Sequence, residues 1–184
     1  MPTPALVLVD VIDGFFVPSG SMWYPEVAEV VEPLRRLLER ARANGRLIVH
    51  AAERHHPGLA DFEQRHLPTH AVAGEPDAAW FAGFEPSGDP NEVELHKRRY
   101  SAFFATDLDL LLREQGVDTV VVGGVKTNVC IRATIQDAFA FGYRVVLPRQ
   151  ATNSNRPHLA AASLEDVERY LGEVVDLDEA LTRL

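Results

Sequence analysis

Cysteine is nearly absent: a single thiol, Cys130, in 184 residues. No disulfide can close within the chain, so an oxidising compartment loses its main support and the cytoplasm is the expected location. Long apolar runs are missing too. None nears the roughly 20 residues that span a bilayer, and the N-terminal MPTPALVLVD lacks the basic stretch of a signal peptide. Positive charge is in deficit, with 18 Lys and Arg against 27 Asp and Glu and a net charge of −9. A surface of that sign repels phosphate backbones and anionic lipid, which argues against nucleic-acid and membrane partners. Internal repeats, low-complexity tracts and linkers are also lacking. What remains, 46% hydrophobic and 24% charged residues, is a globular composition, and the length suits a single domain over residues 1–184.

Short apolar runs alternate with amphipathic stretches. Ala5–Val9 (ALVLV) reads as a strand buried on both faces. Val27, Val30, Val31, Leu34, Leu37, Leu38 and Ala41 keep helical spacing over Val27–Ala43, and Asn44-Gly45 stops that helix. Further strands are expected at Arg46–Ala52, Glu92–Lys97, Thr119–Val122, Tyr143–Leu147 and Gly172–Val175. Helices are expected at Thr106–Gln115, Asn128–Phe141, Pro157–Tyr170 and Leu177–Leu184. Gly58–Pro90, rich in Pro, Gly, His and Asp, reads as a long irregular excursion. This alternation predicts an α/β fold, a three-layer α/β/α sandwich around a mostly parallel, six-stranded, Rossmann-like sheet.

Ligands of such sheets gather at the carboxyl ends of the strands. Asp10 follows the first strand, Glu53 and His55 the second, Lys97 ends the third, and Gly123–Cys130 follows the fourth. The GGVKTN stretch lacks the spacing of a phosphate loop, and neither G-x-G-x-x-G nor G-x-S-x-G occurs. If Asn128 caps the following helix, Cys130 is its second residue, where the helix terminus lowers a thiol pKa. Asp10 is then placed to take the thiol proton and Lys97 to hold the anion. Each residue also has a plainer reading: a buried structural cysteine, a turn-capping aspartate, and a charge run with Arg98 and Arg99.

Five of the seven histidines fall between His50 and His70, interleaved with Glu53, Asp61 and Glu63. Glu53 and His55 share a face on an extended segment, and with His70 they form a candidate site for a divalent metal. A solvated polar loop is the alternative.

The segments VDVIDGF (9–15), HKRRYSAFFATDLDLLL (96–112) and GVKTNVCIRATIQDAFAFGYRVVLP (124–148) resemble the isochorismatase-like cysteine hydrolases, a superfamily that includes nicotinamidases, N-carbamoylsarcosine amidases and isochorismatases. The resemblance implies Asp10 as general base, Lys97 as its lysine and Cys130 as nucleophile. It also implies a cis peptide at Val125–Lys126, whose bend aims the N–H groups of Lys126 and Cys130 at an oxyanion. The implied activity is nicotinamidase-like: cleavage of the C–N bond of a small amide or carbamoyl compound through a thioester. Phe15, Trp80 and Tyr100 are candidates for the substrate slot, and Arg98 or Arg99 for recognising a carboxylate. Nicotinamidases carry Asp-x-His and P-x-H-x-V-x-G segments. Glu53-Arg54-His55 and Pro68-Thr69-His70-Ala71-Val72-Ala73-Gly74 are similar to these, with Glu in place of Asp. Glu53, His55 and His70 are thus implied ligands for one Zn, Mn or Fe ion, with Glu63 as a further one.

The chain departs from the family at Ile12, where Gln is frequent, and at Lys126, where a small or apolar residue is usual. A homo-oligomer is expected, as is common among the relatives. Isochorismatase-type vinyl-ether hydrolysis and a non-catalytic binding or redox role on the same scaffold are the alternatives. Cys130 argues against the first, which needs no thiol nucleophile, and the complete Asp10, Lys97 and Cys130 set argues against the second.

Overall fold

A computed structural model describes residues 3–184. Its first strand, β1 (Pro4–Val9), is buried along its whole length. A single helical turn, α1 (Asp13–Phe16), follows, and then a 3-10 segment (Pro25–Val30) runs into α2 (Val31–Ala43). The long helix read from the spacing is therefore split, with Pro25 at the start of the tighter turn. β2 (Leu47–Glu53) and β3 (Glu92–Lys97) are separated by the irregular excursion, which holds only two 3-10 turns, Glu63–Arg65 and Pro76–Ala78. Next come α3 (Leu108–Glu114), β4 (Thr119–Val125), α4 (Arg132–Ala140) and β5 (Arg144–Pro148). The chain closes with β6 (Thr152–Asn153), α5 (Pro157–Asp166), β7 (Glu173–Val175) and α6 (Leu177–Arg183).

The sheet order is β3-β2-β1-β4-β5-β7, and every ladder between these strands is parallel. The six expected strands form this path. The seventh, β6, has two residues and pairs with the far end of β4. It escapes the sequence pattern because two residues carry no alternation.

The apolar set of β1 divides between two cores. Leu6 and Leu8 face Leu34, Leu37 and Leu38 of α2 and Leu181 of α6. Ala5, Val7 and Val9 face Leu108 and Leu112 of α3, Ile135 of α4 and Val167 after α5. Period-two alternation in the sheet against period 3.6 in the helices produces the three layers.

β4 runs through Val125, past the expected end at Val122, because its two glycines permit it. Gly124 has φ +125°, and a Cβ there would sit 2.0 Å from the Val9 carbonyl oxygen. Without side chains at this point β1 and β4 stay paired to the last residue of β1, Val9 opposite Gly124. Asp10, one residue beyond β1, and Lys126, one residue beyond β4, both emerge at the carboxyl edge.

Candidate active site

Asp10 leaves β1 with φ +57°, held by its N–H donating to Ala51 O at 2.8 Å. Its Oδ1 accepts a 2.9 Å bond from the Glu53 N–H, and its Oδ2 lies 2.9 Å from Lys97 Nζ. Lys97 ends β3 fully buried, in register with Glu53 at the end of β2. The ammonium reaches Cys130 Sγ at 3.6 Å and Glu53 Oε1 at 3.2 Å. Cys130 Sγ in turn lies 3.7 Å from Glu53 Oε1. Asp10, Glu53 and Cys130 offer atoms within 4.8 Å of one another, all buried. The three residues singled out by strand-end position thus meet, and Glu53 joins them.

Burial raises the Asp10 carboxyl, and neighbouring Glu53 raises it further, while Lys97 pulls it back; the balance is upward. Burial also raises Glu53, but Lys97 and the His70 hydrogen bond outweigh it, and Glu53 ends well below the ordinary range. Burial disfavours the Lys97 ammonium, yet Asp10, Cys130 and Glu53 hold it protonated. Burial pushes the Cys130 thiol well up. The surroundings disfavour the Cys130 thiolate and favour the Lys97 ammonium, and they shift the two carboxyls in opposite directions, Asp10 upward and Glu53 downward.

Two local expectations need correction. Asn128 does not cap a helix: Thr127–Ile131 winds as a π-helical turn whose flanking residue is Lys126. Cys130 is the fourth residue of that turn, and Asn128 Oδ1 is buried without a partner. The peptide before the turn, Val125–Lys126, is cis.

Glu53, His55, Glu63 and His70 form a buried quartet with ligand-type atoms within 4.8 Å. His55 Nδ1 pairs with Asp61 Oδ2 at 3.0 Å, and His70 Nδ1 with Pro68 O at 2.7 Å, which leaves both Nε2 atoms turned inward. His70 Nε2 meets Glu53 Oε2 at 2.9 Å and lies 3.8 Å from Glu63 Oε1, whereas His55 Nε2 and both Glu63 carboxylate oxygens are buried with no hydrogen-bond partner. Burial and adjacent Glu53 push Glu63 up to about 7. Orphaned nitrogen and oxygen donors around one point fit a divalent cation. The donor set of two imidazoles and two carboxylates suits Zn, Mn or Fe, and the Asp61 and Pro68 contacts are the outer support that orients ligating histidines.

A cavity of about 310 Å³ opens onto this corner. Phe15 and Tyr100 line it, as do Lys126, Asn128 and Arg156. Trp80 does not: it bridges to Ile12, donates from Nε1 to Glu94 Oε1 at 3.3 Å and lies under the Arg54 guanidinium at 4.9 Å. Arg98 and Arg99 are also elsewhere engaged, each 3.0 Å from Asp61. Arg156 and the second role of Glu53 escaped sequence reasoning, because neither has a local pattern. Asp61 had a faint signal as a carboxylate six residues after His55.

A buried thiol beside an ammonium and two carboxylates, at the carboxyl edge of a parallel sheet, defines an α/β enzyme. The chain belongs to the isochorismatase family: its residues 4–179 match the Isochorismatase domain. It is 36% identical to the maleamate amidohydrolase of Pseudomonas putida, over 98% of this chain and 86% of that protein. The N-carbamoylsarcosine amidase of Thermoplasma acidophilum superposes with a TM-score of 0.85 at 30% identity, covering 97% of this chain and 98% of the other. The pyrazinamidase of Pyrococcus horikoshii, solved in complex with zinc, gives 0.83 at 30% identity over 95% and 99%. This chain is accordingly an amidohydrolase of that family, acting on C–N amide bonds of small molecules. No helix is long and apolar enough to cross a membrane among the described residues.

Proposed function

We propose that the protein hydrolyses its amide through a thioester on Cys130. The reading is carried by the 3.6 Å contact between Cys130 Sγ and Lys97 Nζ, with a raised carboxyl, Asp10, in the same buried corner. Asp10 takes the Sγ–H proton as sulfur attacks the amide carbonyl, and Lys97 stabilises the sulfur anion. Peptide N–H groups of Lys126 and Cys130 bind the oxyanion. Asp10 returns the proton to the departing nitrogen, and ammonia leaves with the C–N bond. Water then adds to the thioester, giving a proton to Asp10, and the acid departs as Cys130 regains its proton. Asp10 suits this shuttle better than Glu53, since a carboxylate held far below the working pH is a poor proton acceptor.

Glu53, His55, Glu63 and His70 would hold one divalent ion, a reading supported by the orphaned donors and by the zinc complex of the pyrazinamidase relative. When bound, such an ion supplies Lewis acidity and a fixed point for orienting substrate. The same reading expects a cytoplasmic homo-oligomer with neither nucleic-acid nor membrane partners.

Ammonia release from a panel of small amides tests the function. Cys130→Ala is expected to lose at least 10³-fold in kcat, and acid quenching of the wild-type protein in turnover should trap acylated Cys130 by mass spectrometry. Ammonia release retained by Cys130→Ala would exclude the thioester, whereas turnover of a vinyl ether by that variant would point to vinyl-ether hydrolysis, which needs no thiol. Silence of the wild type across the panel would favour a binding protein.

A further inference from the structure

One residue belongs to both buried clusters of ligand-type side chains. Glu53 is a member of the quartet with His55, Glu63 and His70, and also of the group it makes with Asp10 and Cys130. Its two carboxylate oxygens are divided between them. Oε2 meets His70 Nε2 at 2.9 Å, while Oε1 lies 3.2 Å from Lys97 Nζ and 3.7 Å from Cys130 Sγ. The backbone fixes this fork. Glu53 ends β2 in register with Lys97, and its N–H donates to Asp10 Oδ1 at 2.9 Å. The side chain is buried, so bulk water replaces neither set of partners.

Side-chain length makes the fork possible. An aspartate here would end roughly 1.5 Å short, the length of one C–C bond. That takes its oxygens out of reach of a sulfur already 3.7 Å away. The two oxygens also share a single negative charge. In a buried corner, where charges interact more strongly than in water, Oε1 opposes negative charge on an attacking sulfur and claims part of the Lys97 ammonium. A cation among the orphaned His55 Nε2 and Glu63 oxygens draws the Glu53 charge toward Oε2. Oε1 then opposes the sulfur anion less. Lys97 is left more fully to Cys130 and Asp10, which it already meets at 3.6 and 2.9 Å.

We infer that Glu53 is a lever between the two clusters, through which a divalent cation held by the quartet makes Cys130 a better nucleophile. Glu53 is a positioning residue in this role, acting on sulfur through its charge and through Lys97. The inference rests on the thioester and metal readings above. It goes past them by giving the ion an effect on the nucleophile that needs no contact with substrate.

Alkylation by iodoacetamide tests the lever without any substrate. Cys130 is the single cysteine of the chain, so the mass gained reports one site. Mn²⁺ is the probe ion, because it favours carboxylate and imidazole ligands over thiols. Calorimetry on chelator-treated protein sets its saturating concentration. Wild-type protein saturated with Mn²⁺ should be alkylated about fivefold faster or more than the metal-free form, the lower end of usual coupling between sites. Glu53→Asp keeps a carboxylate beside the quartet but withdraws it from sulfur. It should still bind Mn²⁺ and yet lose most of the acceleration. An equal or slower rate in the loaded wild type overturns the lever. So does full acceleration in Glu53→Asp, which would make the ion's own field the cause. A wild type that binds no Mn²⁺ and carries no metal as purified removes the metal reading. In that case, or where Glu53→Asp loses the ion, metal-free Glu53→Gln judges the lever alone: alkylation about fivefold faster than metal-free wild type supports it, and an unchanged rate sinks it. Acceleration by Mn²⁺ in a protein that releases ammonia from no amide overturns the amidase reading and leaves the lever standing.

Discussion

Asp10 and Glu53 both border the Cys130 thiol, and their surroundings push them in opposite directions. Glu53 receives Lys97 and a 2.9 Å bond from His70, whereas Asp10 keeps more of its desolvation. Asp10→Asn retains an acceptor for the Glu53 N–H and leaves Glu53 to pair with Lys97, so the fold should persist. A drop of about 10²–10⁴ in kcat is expected, the usual span for a lost acid–base group, with little change in KM. An Asp10→Asn enzyme of near-normal kcat would transfer the proton shuttle to Glu53. At this scale the strand ends of the sequence already identified Asp10, Lys97 and Cys130. They did not reveal that Glu53 touches sulfur, since that contact depends on the β2–β3 register bringing Glu53 opposite Lys97.

Among the elements, β3 is tied down by Glu92 at the sheet end opposite the site. Its carboxylate accepts from Arg42 Nε at 2.7 Å and Nη2 at 3.0 Å, and from Ser87 N at 3.0 Å and Oγ at 2.8 Å. His50 Nε2 stands 3.1 Å away. One side chain so joins β3 to α2, β2 and the incoming loop. Burial raises Glu92, but these donors outweigh it and bring it down to about 2. A depressed carboxyl adds stability above its unfolded value, and that increment fades as pH falls from about 4.5 toward 2. Glu92→Gln should therefore cost about 2 kcal/mol at pH 7. The gap should narrow steadily between pH 4.5 and 3, as followed by urea unfolding. A gap constant down to pH 3 would refute the ionic lock. Helix and strand identities were legible because their apolar periods are long. The 3-10 entry to α2 and the π turn holding Cys130 were not, because a change of winding leaves the spacing of buried residues nearly unaltered over one turn.

At the scale of the whole molecule, the quartet of Glu53, His55, Glu63 and His70 ties the excursion after β2 to the sheet. Glu53 belongs to β2, while His55, Glu63 and His70 come from the irregular chain beyond it. A ligand that binds only the folded form at 100 times its Kd adds about 2.7 kcal/mol. For a chain of this size that is worth roughly 5–10 °C in Tm. The purified protein is expected to carry about one equivalent of Zn, Mn or Fe, and chelation should lower Tm by that amount with Glu63→Ala abolishing the difference. Elemental analysis without stoichiometric metal, together with an unshifted Tm, would remove the ion from the account.

The sequence alone determined the layered α/β architecture and the group of polar residues at the strand ends, because hydrophobic period and strand order are properties of a chain read in one dimension. Tertiary structure alone decided which of those residues meet. It turned Trp80, Arg98 and Arg99 away from the cavity and brought Glu53 to Cys130, because contact between distant segments is set by register and packing, which no local pattern records.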